Sequence, residues 1–189
     1  MIYLTSDFHI GHTNIIKFCN RPFHTIEQME QDCLDYISKN VVSTDEIWHL
    51  GDFHWSKDAL AVKSFLDKIP CQVRFIRGNH DHGLDNLKDY KNNQERIEIY
   101  DEYILKYKQC YVTLNHYCKY TWYKRRYNQF HCYGHSHCPS GSHFGFGKSM
   151  EVGYDSQGKW LISIEEVIDV LSKRDINAEP TFDLFGNNI

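Results

Sequence analysis

Apolar positions recur along this chain of 189 residues with two distinct periods. Short apolar or alternating runs predict strands at residues 2–5, 45–50 and 72–77. Between them the period lengthens to that of a helix. Ile26, Met29, Cys33, Ile37 and Val41 form one apolar face, and Thr25 with Gln28 three residues later reads as a capping box that opens it. A second helix is predicted over residues 57–69, with Leu60, Val62, Phe65, Leu66 and Ile69 inward and Ser56 as its cap. Residues 8–24, with Gly11, Asn20 and Pro22, predict a long loop. Strand, helix, strand, helix, strand implies a parallel sheet with right-handed crossovers, whose ligand site lies outside the carboxyl ends of its strands.

The second half changes character. Residues 83–93 are polar and predict a loop with a short helix. Aromatic and β-branched runs then follow at 97–100, 103–107, 110–114, 129–133, 149–152 and 160–162, and predict antiparallel strands forming a second sheet. Ser163 with Glu166 is another capping box, opening a helix through Leu171 with Ile164, Val167, Ile168 and Leu171 inward. Beyond Arg174 the periodicity fades and Pro180 intervenes, so residues 1–174 read as a single domain and 175–189 as a loosely packed tail.

Composition narrows the class without choosing a function. Hydrophobic residues make up 41% and charged residues 24%, the balance of a globular protein with a sizeable core. A net charge of −4 gives no global basic field to recruit nucleic acid or an anionic membrane. No apolar run approaches the roughly 20 residues that span a bilayer. The first residues carry no charged leader and read as a strand, so the cytoplasm is the expected compartment. The seven cysteines form no Cys-x-x-Cys pair, which indicates neither a zinc finger nor a disulfide framework. Cys132 and Cys138 are the thiols expected nearest the site described next.

Five clusters of metal-binding donors follow predicted strands. They are Asp7-Phe8-His9, Gly51-Asp52, Gly78-Asn79-His80-Asp81, Asn115-His116 and Gly134-His135-Ser136-His137. Their oxygen and nitrogen donors suit divalent transition metals. Hydrolysis of a phosphate ester needs a strong nucleophile at neutral pH and neutralisation of the phosphoryl oxygens. Two metals roughly 3.5–4 Å apart supply both. Asp52 suits a carboxylate shared between them, since Gly51 lets the backbone turn closely.

In this order the clusters resemble the calcineurin-like metallophosphoesterase superfamily, over about residues 5–137. Residues 7–23 further resemble a small bacterial and phage subgroup of predicted phosphohydrolases. The resemblance implies an α/β (α+β) fold, a four-layer αββα sandwich with two mixed β-sheets flanked by helices. It implies that Asp7, His9 and His137 hold one metal, that Asn79, His116 and His135 hold the other, and that Asp52 is shared. The cofactors would be two divalent ions, Mn2+ first, with Fe or Zn2+ as alternatives. His80 would be a catalytic hydrogen-bond donor or general acid to the leaving oxygen, oriented by Asp81. The second cluster departs from the pattern of many members, which place a further acidic or amide side chain shortly after Gly-Asp. Here it runs Gly51-Asp52-Phe53-His54-Trp55, so His54 and Trp55 are expected to shape the substrate side.

Three side chains are candidates for substrate binding: Arg21 as a bidentate phosphate donor, His12 at the substrate or holding its loop, and His54. The segment from Lys119 to Tyr127 interleaves basic and aromatic residues, which can stack bases and hold a backbone; solvated charges on a loop or edge strand are the simpler account. The expected activity is hydrolysis of phosphate mono- or diesters by a hydroxide bridging two metals. The partner would be a small phosphate ester, or a nucleotide or nucleic-acid end, with no membrane. Two other classes compete: a nuclease or nucleic-acid-end processing enzyme using the same metals, and a catalytically silent binding scaffold on the same fold.

Overall fold

The computed structural model describes residues 1–87, 90–92, 95–139 and 145–180, with backbone alone for residues 91–92 and 95–96. In chain order the first half runs β1 (Ile2–Thr5), α1 (Asn14–Phe18), α2 (Ile26–Asn40), β2 (Glu46–His49), α3 (Ala59–Leu66) and β3 (Gln72–Ile76). A 3-10 turn at Leu84–Leu87 and a small hairpin of β4 (Lys91–Asn92) and β5 (Glu95–Arg96) lead into the second half. That half runs β6 (Glu98–Tyr100), β7 (Glu102–Tyr107), β8 (Cys110–Asn115), β9 (Phe130–Tyr133), β10 (Ser149–Glu151), α4 (Tyr154–Gln157), β11 (Ile162–Ser163) and α5 (Ile164–Lys173).

The strands make two mixed sheets flanked by helices. The first has the order β11-β1-β2-β3-β6, the second β10-β9-β8-β7. β1, β2 and β3 are parallel, with Ile2 beside Glu46 and Glu46 beside Gln72. Alternation along these strands serves two cores. Ile47, Val73 and Phe75 face α2 and α3, among Met29, Cys33, Ile37, Val62, Phe65 and Leu66. Leu4, Trp48 and Ile76 face the other way, onto Val112, Leu114, Phe130 and Cys132 of the second sheet and Ile164, Val167 and Leu171 of α5. Each fully buried aliphatic side chain contributes about 1.5–3 kcal/mol. The shared second core therefore locks the two sheets together, and with them the loops at their ends. Among the described residues no helix is long and apolar enough to cross a membrane.

Several elements differ from expectation. The loop predicted over residues 8–24 contains α1, held by burial of Ile15. The second helix starts later than predicted. Asp58 caps it, its carboxylate accepting from the Leu60 N–H, while the Ser56 hydroxyl accepts from the Asp58 N–H. Leu60, expected inward, is 64% exposed. Two residues before Val62 it stands roughly 200° around the helix from the buried face. The run at 97–100 gives β6, which joins the first sheet parallel to β3, where Arg74 pairs with both Glu98 and Glu46. The run at 160–162 gives β11, antiparallel to β1 in that same sheet. The second sheet is antiparallel only between β7 and β8; β8, β9 and β10 run parallel.

The far side of β8 and β9, with Thr113 and His131, is covered by the segment after His116. Trp122 lies 5.4 Å from the His131 ring, and the His131 Nε2 accepts from the Lys119 N–H. Beyond Arg174 the chain is pinned as far as Ala178, whose carbonyl accepts from the Gly147 N–H at 2.7 Å. The last residues of the expected tail, 181–189, lie outside the described residues.

Candidate metal centre

Every donor cluster follows the carboxyl end of a strand. Asp7 and His9 follow β1, Asp52 follows β2, Asn79 and His80 follow β3, His116 follows β8, and His135 and His137 follow β9. The loops are tied to one another by backbone. The Asp7 N–H donates to the Gly51 carbonyl at 2.9 Å, the His9 N–H to Asp52 at 3.0 Å, and the Gly134 N–H to His116 at 2.9 Å. Asp7, His9, Asp52, His135 and His137 all have positive φ, between 46° and 70°. Non-glycine residues take this conformation at a cost, and its concentration on strand-end loops is characteristic of functional sites.

The side chains form two groups. Asp7, His9 and His137 present ligand atoms within 4.8 Å of one another, and so do Asp52, His116 and His135. Asp52 joins the groups, because its Oδ2 lies 3.7 Å from His9 Nε2 and 3.6 Å from His116 Nε2. Asn79 Oδ1 completes the second group, 3.0 Å from His116 Nε2. All seven expected ligands therefore converge, in the two sets expected, around Asp52.

The donors also fit a bound cation chemically. The His116 Nδ1–H donates to the Leu50 carbonyl at 2.8 Å, which leaves the Nε2 lone pair facing the Asn79 and Asp52 oxygens. His9 and His137 turn their Nε2 atoms to each other at 3.3 Å. Asp7 Oδ1 is buried without a hydrogen-bond partner, 3.8 Å from both of those nitrogens. A buried carboxylate oxygen with no hydrogen-bond partner is costly unless positive charge sits beside it. The electrostatics agree. Burial disfavours charge on His137, but the Asp7 carboxylate and a hydrogen bond to Asp155 raise it to about 11. Burial pushes the other way on His9, down to about 3. Asp7, despite its burial, is held below the usual carboxylate range by the imidazoles of His137, His116 and His9.

Arg21 is not available to a phosphate, contrary to expectation. Its guanidinium is buried and spends its donors on the protein: Nε and Nη2 on the two Asp155 oxygens at 2.9 Å, Nη2 on the Asp7 carbonyl at 2.7 Å, and Nη1 on the Phe8 carbonyl at 3.0 Å. Asp81 does not orient His80 either. Its carboxylate accepts from the N–H groups of Asp52, Phe53 and Gly78, each at 2.8 Å, and so fixes the loops after β2 and β3 against each other. Burial moves the Asp81 carboxyl up to about 6, against the pull of those three donors. The His80 N–H donates to Asp52 Oδ1 at 2.9 Å, and its ring lies 4.8 Å from Trp55 and 5.8 Å from His9.

His54, a second expected substrate contact, is buried, and its Nδ1 accepts from the Ser56 N–H at 3.0 Å. It supports the loop while its neighbour Trp55 takes the exposed position. His12 stacks on Trp55. In the segment after His116, Lys124 lies over the rings of Tyr111 and Tyr123 and Arg125 over those of Tyr120 and Trp122, while Arg126 is exposed.

Two acidic side chains at the centre carry no motif in the sequence. Asp155, in α4, accepts from the His137 Nδ1–H at 2.6 Å. Glu151, at the end of β10, accepts from the N–H groups of His137 and Cys138 at 2.7 and 2.9 Å, and burial raises its carboxyl to about 8. The one available signal was position, since both belong to a sixth strand end. Two thiols lie beside the centre: Cys138, as expected, whose side chain hydrogen-bonds the Glu151 carboxylate, and Cys19, 3.4 Å from His137 Nδ1. Cys132 lies instead in the core between the sheets.

The model of the calcineurin-like phosphoesterase superfamily domain matches residues 1–153. An uncharacterized protein of Methanocaldococcus jannaschii is 42% identical over 81 residues, which are 42% of this chain and 46% of that one, so the match spans about half the length of that relative. A protein of unknown function from Aquifex aeolicus has a similar structure, with a TM-score of 0.69 at 24% identity over 90% of this chain and 98% of that one. A second solved structure, described as that of a novel archaeal phosphodiesterase, gives 0.53 at 15% identity over 87% and 94%. At these identities the likeness is one of fold.

Proposed function

The chain belongs to the calcineurin-like phosphoesterase superfamily, and from that premise we propose that it is a dinuclear metal-dependent hydrolase of phosphate esters. The observation that carries this reading is the placement of Asp52 Oδ2, within 3.7 Å of an imidazole from each donor group. Asp7, His9 and His137 would hold one divalent cation, Asn79, His116 and His135 the other, and Asp52 both. Bound there, the pair supplies a water of lowered pKa as nucleophile and neutralises the phosphoryl oxygens. Mn2+ suits this set of oxygen and imidazole donors.

The chain's own residues supply the rest. His80 stands at the rim on a backbone fixed by Asp52 and can donate a proton to a departing oxygen. Asp81 holds the two loops that carry Asp52 and Asn79, so its role is positioning. The test is turnover of bis-p-nitrophenyl phosphate by Mn2+-loaded protein. Asp52→Asn and His116→Ala should each reduce kcat by at least about a thousandfold while leaving the circular dichroism of the fold intact. Undiminished turnover in either variant would sink the assignment.

A further inference from the structure

Two exposed aromatic side chains stand at the edge of the metal centre. Trp55 is 42% exposed and lies face to face on His12, with ring centroids 3.9 Å apart and planes 7° from parallel. Its own ring is 4.8 Å from His80, the candidate proton donor. Tyr117 is 48% exposed and directly follows His116. It lies edge-on to His135 at 4.7 Å and to His116 at 5.0 Å, with its hydroxyl 3.5 Å from Asn79 Oδ1. One aromatic shelf thus adjoins the donor group that would serve the leaving oxygen, and the other adjoins the ligands of the second metal. Large apolar rings held in water beside a polar centre are placed to receive something flat.

The surroundings limit what that is. Beside Tyr117 lies a cavity of about 360 Å³, lined also by Arg77, Gly78, Asn79, Asp101 and Asn115. The Arg77 guanidinium is paired with Asp85 and Asp101, and Arg21 is buried against Asp155. A second phosphate entering this cavity would meet the Asp101 carboxylate and no unpaired guanidinium. The amides, carboxylate and phenol there suit the hydrogen-bonding edges of a neutral base or ribose. A polynucleotide tract is held through many phosphates by a row of basic groups, whereas among the described residues that line this cavity Arg77 is the one cation, and it is paired with Asp85 and Asp101.

We infer that, granted the phosphoesterase reading on which this rests, the substrate is a small phosphodiester bearing a nucleoside, whose planar base stacks at the rim formed by Trp55 and Tyr117. Stacking on exposed aromatic rings tolerates any base, so the rim selects for nucleosides as a class.

The decisive comparison uses two esters with the same leaving group, thymidine 5′-(p-nitrophenyl phosphate) and methyl p-nitrophenyl phosphate, with Mn2+-loaded protein. The nucleoside ester should be preferred in kcat/KM by about tenfold or more, carried mainly by KM. The double substitution Trp55→Leu with Tyr117→Leu should bring that ratio close to one. Both side chains are substantially exposed, so neither change removes core packing. A binding readout stands apart from turnover. Of the four tryptophans, Trp48, Trp122 and Trp160 are 1%, 8% and 1% exposed, so Trp55 dominates any quenching by a ligand at the rim. Adenosine monophosphate should quench it and ribose 5-phosphate should not. Cleavage of neither ester by protein holding two metals per chain would overturn the phosphoesterase reading. Cleavage of both at equal efficiency, an unchanged ratio in the double variant, or a preference for long polynucleotides would leave that reading standing and overturn the nucleoside inference.

Discussion

Asp155 reaches the metal centre through one imidazole. Its Oδ2 receives the His137 Nδ1–H at 2.6 Å, and the opposite ring nitrogen points at His9 and Asp7. A carboxylate in that position fixes the tautomer and the ring plane of a ligating histidine, and its loss typically weakens metal binding about 10- to 100-fold. Arg21 holds Asp155 in turn and clamps the carbonyls of Asp7 and Phe8, so one guanidinium ties the loop after β1 to α4 and, through Asp155, to His137. Asp155→Ala should therefore weaken one metal by that factor and leave the other, held by Asn79, His116 and His135, nearly as tight. Metal content after dialysis checks this, as one ion per chain against two in the parent. A simple structural defect would loosen both ions together, and equal loss of both would refute the positioning role. The seven ligand candidates were legible because each has a ligand's chemistry at a strand end. Asp155 was not, because a single aspartate after a short strand has no motif. For Arg21, sequence shows a cation in the right loop without showing the Asp155 carboxylate and the two carbonyls that already surround it.

At the scale of elements, the site depends on loops that approach more closely than side chains permit. Gly51 has φ +98°, and a Cβ there would meet the His116 ring and, at 2.7 Å, the Cα of Gly78 in the loop after β3. That neighbour is backbone, so it cannot swing aside. Gly51→Ala should cost about 2–4 kcal/mol, the sum of a strained positive φ and an overpacked contact. It should also reduce metal content, because His116 and Asp52 flank the displaced turn. Chemical denaturation with parallel metal analysis measures both, and a variant that unfolds at the parent midpoint would show that the loops can separate. The first sheet's parallel strands were readable for the same reason that they deliver these loops: short apolar runs separated by helical faces leave little freedom in direction. Of the later runs, β7 to β10 form the second sheet as the pattern predicts, while β6 and β11 join the first. Alternation reports which side of a strand is buried, and says nothing of its neighbour or direction, so β6 and β11 were indistinguishable in sequence from members of the second sheet.

For the whole molecule, the rim and the core have different sources of stability. The cores between α2, α3 and the first sheet, and between the two sheets and α5, are apolar and independent of any ligand. The rim carries five positive-φ candidate ligands, an Asp7 oxygen without a hydrogen-bond partner, and imidazole nitrogens turned toward one another. Cations that bind this arrangement in the folded state and not in the unfolded chain stabilise folding by mass action, about 2.7 kcal/mol at a hundredfold excess over Kd. For a chain of this size that is a rise in melting temperature of about 5–10 °C. Chelation should remove the increment while leaving a cooperative transition, because the cores persist. Added Mn2+ should restore it in the parent but much less in Asp52→Asn, whose shared carboxylate is gone. Thermal melts of the two proteins with chelator and with Mn2+ decide the matter. Identical melting temperatures in the parent under both conditions would mean that the rim gains nothing from a divalent cation. A loss of cooperativity on chelation would mean that the two sheets depend on the metals as well as on their shared core.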